Sequence, residues 1–271
     1  MRSLLRSPQA VTGLVMMLAV FLVMLFCPVL APNDPNAVDV FHLFSPPSAG
    51  FPLGTDEMGR CILSRLLFAT RTSLCIALAS LLVLAVLSTL LATVCAYVGG
   101  TLDRLFDILS NVFMAFPPFL VAITLVGLFE SKSFSIMLSI VVSMWVWNAR
   151  VIRTYVLVEK SKDYILTCRM SGCSELRIMF FHVIPNIVPH LLVLYSTGLS
   201  SLIIMISSYA FLGLGLDVGT AEWGAMMVHA NKLIFSHPLL LIYPGLCILF
   251  TASAFNLFGE ALRDIISPEE K

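Results

Sequence analysis

Charge is what this sequence has least of. Asp, Glu, Lys and Arg make up 12% of its 271 residues, about half the ~25% share usual in soluble domains. Hydrophobic residues make up 59%, and mean hydropathy is +0.96. That balance excludes disorder and an ordinary soluble enzyme. Sixteen basic residues meet sixteen acidic ones, so no global field draws a polyanion and no nucleic-acid partner is expected. A disulfide framework is also lacking: the seven cysteines are odd in number, with no CxxC pair. Most lie in apolar runs, where a free Cys acts as a small apolar residue. Cys168 and Cys173 fall instead in a polar loop expected to face a reducing cytoplasm. No GxxxxGK(S/T) stretch is present to cradle a phosphate, and Gly213, Gly215 and Gly219 have the wrong spacing for a dinucleotide loop. His42, His182, His190, His229 and His237 are scattered, without an HExxH or paired-carboxylate pattern. An integral-membrane enzyme would need a convergent set of such groups.

What is there is a series of long intervals without charge. Six are prominent: 6–34, 71–103, 107–130, 132–150, 177–217 and 232–260. A helix rises ~1.5 Å per residue and must cover a hydrocarbon core of ~30 Å, so each interval can hold a span. Backbone groups in lipid need internal partners, which makes the spans helices. The alternating ten-residue segments of a barrel are not seen. The reading is an all-α polytopic membrane protein with about six transmembrane helices. The first apolar run is too long for a typical signal peptide and lacks a clear small-x-small site, so it reads as a retained helix. The fifth interval carries Pro185, Asn186, Pro189 and His190 near its start. That start reads as the end of a loop entering one long span.

Loop arginines and lysines set the orientation. With the N-terminus inside, the inner segments hold Arg2, Arg6, Arg104, Arg150, Arg153, Lys160, Lys162, Arg169, Arg177, Arg263 and Lys271. The outer segments hold Arg60, Arg65, Arg71, Lys132 and Lys232. Both termini are therefore expected in the cytoplasm. The organisation expected is a tail and first helix over 1–31, an external loop over 32–70, and a five-helix core over 71–271. A cytoplasmic loop over 150–186 interrupts that core.

The external loop contains FPLGTDEMGRCILSRLLFATRTSL over 51–74. Gly54 and Gly59 suit turns. Arg60, Arg65 and Arg71 recur among apolar residues. That spacing favours an amphipathic segment lying on the membrane surface, its arginines meeting headgroups. A docking surface for an external partner is the sharper alternative. The cytoplasmic loop is the most polar stretch in the chain. Helical composition over 163–168 and 175–181 flanks Ser171 and Gly172. A short helix, a Gly turn and a second helix make a projecting knuckle. None of the six spans has a charge in its apolar core, as a proton- or sodium-coupled carrier usually would.

These two loops resemble the inner-membrane permeases of binding-protein-dependent ABC importers, in the dipeptide/oligopeptide/nickel group. The external stretch is similar to that group's LGTDxxGRDxxSRLxxGxRxSL signature at Gly54, Thr55, Asp56, Gly59, Arg60, Ser64 and Arg65, with Cys61 in place of the usual Asp. The run from Met114 to Pro117 matches a MAFP motif, and AFLGLG over 210–215, Glu222-Trp223-Gly224 and FNLFGEALRD from Phe255 also match. The stretch DYILTCRMSGCSELRIMFFHVIPN resembles the EAA loop, with Leu166, Thr167 and Cys168 in place of the EAA letters.

The resemblance implies a type I ABC importer permease fold. It implies a coupling helix at about 166–176, seated in an ATPase subunit, with Gly172 making the turn. The coupling residues are Asp163, Tyr164, Thr167, Cys168, Arg169, Ser171, Gly172, Cys173, Ser174 and Glu175. It further implies a C-type subunit paired with a B-type permease, two cytoplasmic ATPase subunits that use ATP and Mg, and an extracytoplasmic binding protein. No cofactor is expected on this chain, and the setting is a prokaryotic cell membrane. Arg169-Met170-Ser171-Gly172 and Thr220-Ala221-Glu222-Trp223-Gly224 resemble the nickel branch most, with dipeptide import as the alternative. Met226, Met227 and His229 then stand as a candidate pathway or mouth, although a transported ion must not be held tightly.

Overall fold

The computed structural model describes residues 7–129, 132–216 and 219–266. Arg2, Arg6, Glu130, Asp217 and Lys271 lie outside the described residues. The charge-free intervals are mainly helix. In order these are α1 (Pro8–Leu30), α2 (Ile62–Val98), α3 (Gly100–Met114), α4 (Pro118–Leu128) and α5 (Lys132–Lys160). Then follow α6 (Asp163–Met170), α7 (Glu175–Ile178), α8 (Ile184–Tyr209), α9 (Trp223–Lys232) and α10 (Leu239–Ile266). No strand occurs among the described residues, only an isolated bridge between Thr55 and Cys61.

Five continuous helices are long and apolar enough to cross a membrane. The interval 107–130 is not one straight span. It is α3 and α4, bent by 83° at a break. Pro117 and Pro118 follow α3, and a proline disfavours helical geometry at the residue before it.

Three further boundaries differ from the sequence reading. The 32–70 segment is not loop to its end, because α2 starts at Ile62 and carries Ser64, Arg65 and Arg71. The 150–186 segment is mostly helix: α5 continues to Lys160, which leaves only the region around α6 projecting. The region around Pro185 and Pro189 is not loop either. Helix runs continuously from Glu175 to Tyr209. A wide π-helical turn, Met179–Val183, comes just before Pro185. A proline in a helix clashes with the carbonyl four residues back, here that of Phe181, and a wider turn at that point relieves the clash.

α2 is the central element and packs against α5, α1 and α8, while α10 packs against α8 and α1. One buried cluster gathers Val20, Ile62, Leu66, Trp223 and Phe255. A second gathers Ala96, Phe106, Ile152, Ile165, Ile178 and Ile187. The first lies toward one end with the 31–61 segment and α9, the second toward the other end with α6 and α7. Side chains such as Leu82, Val86 and Leu90 face outward, as expected where lipid is the solvent.

Candidate functional site

The signature residues at the first end turn inward rather than onto a surface. Gly54 and Gly59 have φ of 79° and 73°. At Gly59 any Cβ would sit 1.8 Å from the Asp39 carbonyl oxygen, so only glycine fits. The turn aims Asp56 back at the chain. Its Oδ1 accepts from the Met58 and Arg60 backbone N–H groups at 2.9 Å, and its Oδ2 accepts from Arg60 Nε at 2.7 Å.

Arg60 and Arg65 are only 4% and 2% exposed. The reading of arginines meeting lipid headgroups is therefore overturned at these two positions. Arg65 Nη1 donates to the carbonyls of Pro35 at 3.1 Å and Gly219 at 3.3 Å, and Nη2 to that of Thr220 at 3.3 Å. Buried charge needs such partners, and the sequence could not show that three distant carbonyls supply them. Ser64 accepts from the Asn33 N–H at 3.0 Å. Thr55 accepts from the Ser45 N–H at 2.8 Å and donates to the His42 carbonyl.

Next to this brace, Glu222 is buried and caps α9. Its carboxylate accepts from the Ala225 N–H at 2.7 Å and from the Ser73 hydroxyl at 3.0 Å. Burial pushes its pKa up from the ordinary 4.5. Met226, Met227 and His229 follow on α9. Met226 packs against the buried cluster, and His229 Nδ1 lies 3.8 Å from Glu57. A gap of about 20 Å³ among Asp56, Arg60, Met226 and His229 has room for about one water. Among the described residues no group of three or more His, Cys, Asp or Glu could hold a metal ion.

The knuckle is at the opposite end. The 166–176 stretch is not one helix: α6 ends at Met170, and Gly172 has φ of 80°. The Cys173 N–H bonds the Cys168 carbonyl at 3.1 Å, and the Gly172 N–H bonds that of Arg169 at 3.0 Å. This pair is the Schellman ending that a left-handed glycine permits. Ser171 donates to the Thr167 carbonyl at 2.9 Å, and Thr167 to that of Asp163 at 3.2 Å. Ser174 then caps α7, accepting from the Arg177 N–H at 3.4 Å.

The knuckle has polar roots and apolar tips. Tyr164 donates to Glu159 at 2.6 Å. Burial and that carboxylate push the Tyr164 hydroxyl up to about 12, so it stays a donor. Glu159 also binds Lys162 at 2.7 Å and accepts from Asn186 at 3.2 Å. Cys168 and Cys173 pack onto the second buried cluster. Met170 and Leu176 point outward, 82% and 68% exposed. Sequence reasoning missed Glu159, Lys162 and Asn186, and also Tyr97 and Ser73. The available signal was a polar group at the margin of an apolar run.

Between the two ends runs a groove. A cavity of about 400 Å³ opens beside the α3–α4 bend, lined by Phe113, Met114, Ser143, Asn148, Thr197 and Ser201. A second, of about 650 Å³, continues toward the knuckle end past Tyr155, His190, Glu260 and Arg263. The two share Trp147, Leu194, Thr197 and Asn256. Met226, Met227 and His229 do not line it. Among the described residues, the upper part offers amides, hydroxyls and thioethers but no carboxylate, imidazole or thiol.

Residues 85–271 match the family described as the binding-protein-dependent transport system inner membrane component. The chain belongs to that family. Residues 1–47 of this permease also match the N-terminal transmembrane domain of oligopeptide transport permease C. The permease is 35% identical over 237 residues to a nickel transport system permease of Escherichia coli, covering 88% of this chain and 86% of that one. It is 31% identical over 263 residues to a probable D,D-dipeptide transport permease of the same organism, covering 97% and 88%. It is 32% identical over 269 residues to a metal-staphylopine import permease of Staphylococcus aureus, covering 99% and 93%. It is thus a multi-pass membrane permease of the ABC importer class, with the all-helical fold of that family.

Proposed function

We propose that this permease is the C-type half of a heterodimer with a B-type partner, moving nickel or a metal chelate inward through an ATP-driven importer. Two cytoplasmic ATPase subunits supply the energy, using ATP and Mg, and an extracytoplasmic binding protein delivers the cargo. Both termini lie in the cytoplasm of a prokaryotic cell. The observation that carries the energy-coupling part is the knuckle. Its tips, Met170 and Leu176, are apolar and exposed, while its roots are locked by Glu159, Tyr164 and Asn186. Such a projection suits a groove on a cytoplasmic partner. The extracytoplasmic end is the Arg65 brace, and the cargo passes along the groove at Asn148, Thr197 and Asn256.

Nickel and metal-staphylopine transport in the names of two relatives support a metal or metal-chelate cargo. The groove supports the chelate form, since among the described residues its upper part has no carboxylate, imidazole or thiol to hold an ion tightly. Dipeptide import is the second reading, favoured by a dipeptide permease of Haemophilus influenzae that is 34% identical over 268 residues. The deciding experiment is reconstitution with the partner subunits and ATP-driven uptake of labelled nickel, a nickel chelate and a dipeptide. Dipeptide uptake without metal uptake would overturn the cargo assignment.

A further inference from the structure

The knuckle has a second root, separate from the Glu159 network. Glu175, the first residue of α7, grips Arg169 of α6 with both oxygens, at 2.8 and 3.1 Å. Its Oε2 also accepts from the Tyr97 hydroxyl at 2.5 Å. Tyr97 is buried, one residue before the end of α2. Its backbone carbonyl accepts from Lys160 Nζ at 2.5 Å, and that ammonium sits 5.2 Å from the centroid of its ring. The two sides of the knuckle, α6 and α7, therefore meet α2 at one phenol. The last residue of α5 holds the same phenol from behind.

α2 is 37 residues long, about 55 Å of helix. Near its other end it carries Arg65, which holds the carbonyls of Pro35, Gly219 and Thr220, and Ser73, which holds Glu222. A rod fixed at both ends transmits displacement, because packed helices shift as units rather than deform.

We propose that Tyr97 is a positioning residue for energy coupling. Its hydroxyl joins the knuckle to α2, and α2 carries the displacement to the Arg65 and Ser73 brace at the far end. The proposal rests on the knuckle being the ATPase contact. It goes beyond that reading by naming the joint and the lever. The same path runs in reverse, since coupling between two sites is reciprocal. Cargo delivery at the brace then reaches the ATPase subunits through Tyr97.

The test uses the assembled complex in proteoliposomes, with the loaded binding protein added outside. Two ratios are measured: binding-protein stimulation of ATP hydrolysis, and uptake per ATP of radiolabelled nickel or labelled dipeptide, whichever the wild type imports. Tyr97→Phe keeps the ring under Lys160 and removes one bond to a carboxylate. It is expected to assemble normally and keep basal hydrolysis. Stimulation and uptake per ATP should fall on the order of tenfold. Glu175→Gln loses both the charged grip on Arg169 and the carboxylate that receives the phenol, and should lose at least as much as Tyr97→Phe.

Unchanged ratios in an assembled Tyr97→Phe complex would overturn the proposal, as would unchanged ratios in Glu175→Gln. Failure of Tyr97→Phe to assemble would also overturn it, by making the hydroxyl a structural requirement. The coupling-loop reading fails separately: Met170→Glu with Leu176→Glu should release the ATPase subunits whatever Tyr97 does.

Discussion

The Ser73 hydroxyl donates to the Glu222 carboxylate at 3.0 Å, across 149 residues of sequence. Ser73 also receives the Trp223 N–H at 3.4 Å, so one hydroxyl seats the first turn of α9 against α2. Glu222→Ala removes the cap and strands that hydroxyl. The expected loss is about 1–3 kcal/mol, read as a fall in thermal unfolding temperature in detergent.

The same carboxylate gives a pH dependence. Burial raises its pKa in the fold above the unfolded value near 4.5, so the folded state binds more protons. Its contribution to stability is fully present below the unfolded value and is lost as pH rises through the folded one. Glu222→Gln keeps an acceptor for Ala225 and Ser73 and carries no charge. Its unfolding temperature should vary less with pH than the wild type's above pH 4.5. An identical profile for the two would exclude Glu222 as the source.

Arg65→Ala is expected to be among the most damaging single changes at the α9 end. It leaves three carbonyls without their donor and removes a cation 3.7 Å from buried Asp56. Breaking a buried charged network costs about 3–5 kcal/mol. Limited proteolysis should then cut within 31–61, where the wild type resists.

Gly172→Ala and Gly172→Pro separate strain from geometry. Beyond its own chain neighbours, no described atom lies within 4 Å of a Cβ added at Gly172. Alanine there pays only for the left-handed backbone, about 1 kcal/mol, and uptake should survive. Proline cannot adopt φ of 80° and also removes the N–H bonded to Arg169. Uptake should be abolished while assembly with the proposed partner permease persists. Normal uptake by the proline variant would remove the turn from the coupling mechanism.

Gly59→Ala should differ sharply from Gly172→Ala, although both glycines have positive φ. Its Cβ would meet the Asp39 carbonyl oxygen at 1.8 Å. A loss of about 4 kcal/mol or more is expected, seen as failure to purify as a monodisperse protein.

The spans were legible because their cause is local: each interval without charge is long enough to cross lipid and must satisfy its own backbone. The knuckle was legible for the same reason, since Ser171 and Gly172 are local punctuation. Arg60 and Arg65 were not. Spacing alone made them surface residues, and their burial depends on Asp56 and on carbonyls up to 155 residues away. The α3–α4 bend was marked by Pro117 and Pro118, yet the run of apolar residues continued across it. The prolines at 185 and 189 misled in the opposite sense, since a π-helical turn absorbs what would otherwise break the helix.

By itself, then, the sequence determined that this chain lives in a membrane, how many times it can cross, and which two loops keep its scarce charge. Those follow from composition and from hydrogen bonds made within a few residues. Only the tertiary structure decided that the charge is turned inward, that Asn148, Thr197 and Asn256 share one groove, and that Tyr97 meets Glu175. Each of these joins residues tens of positions or more apart, and such pairings arise from how helices pack, which no local pattern encodes.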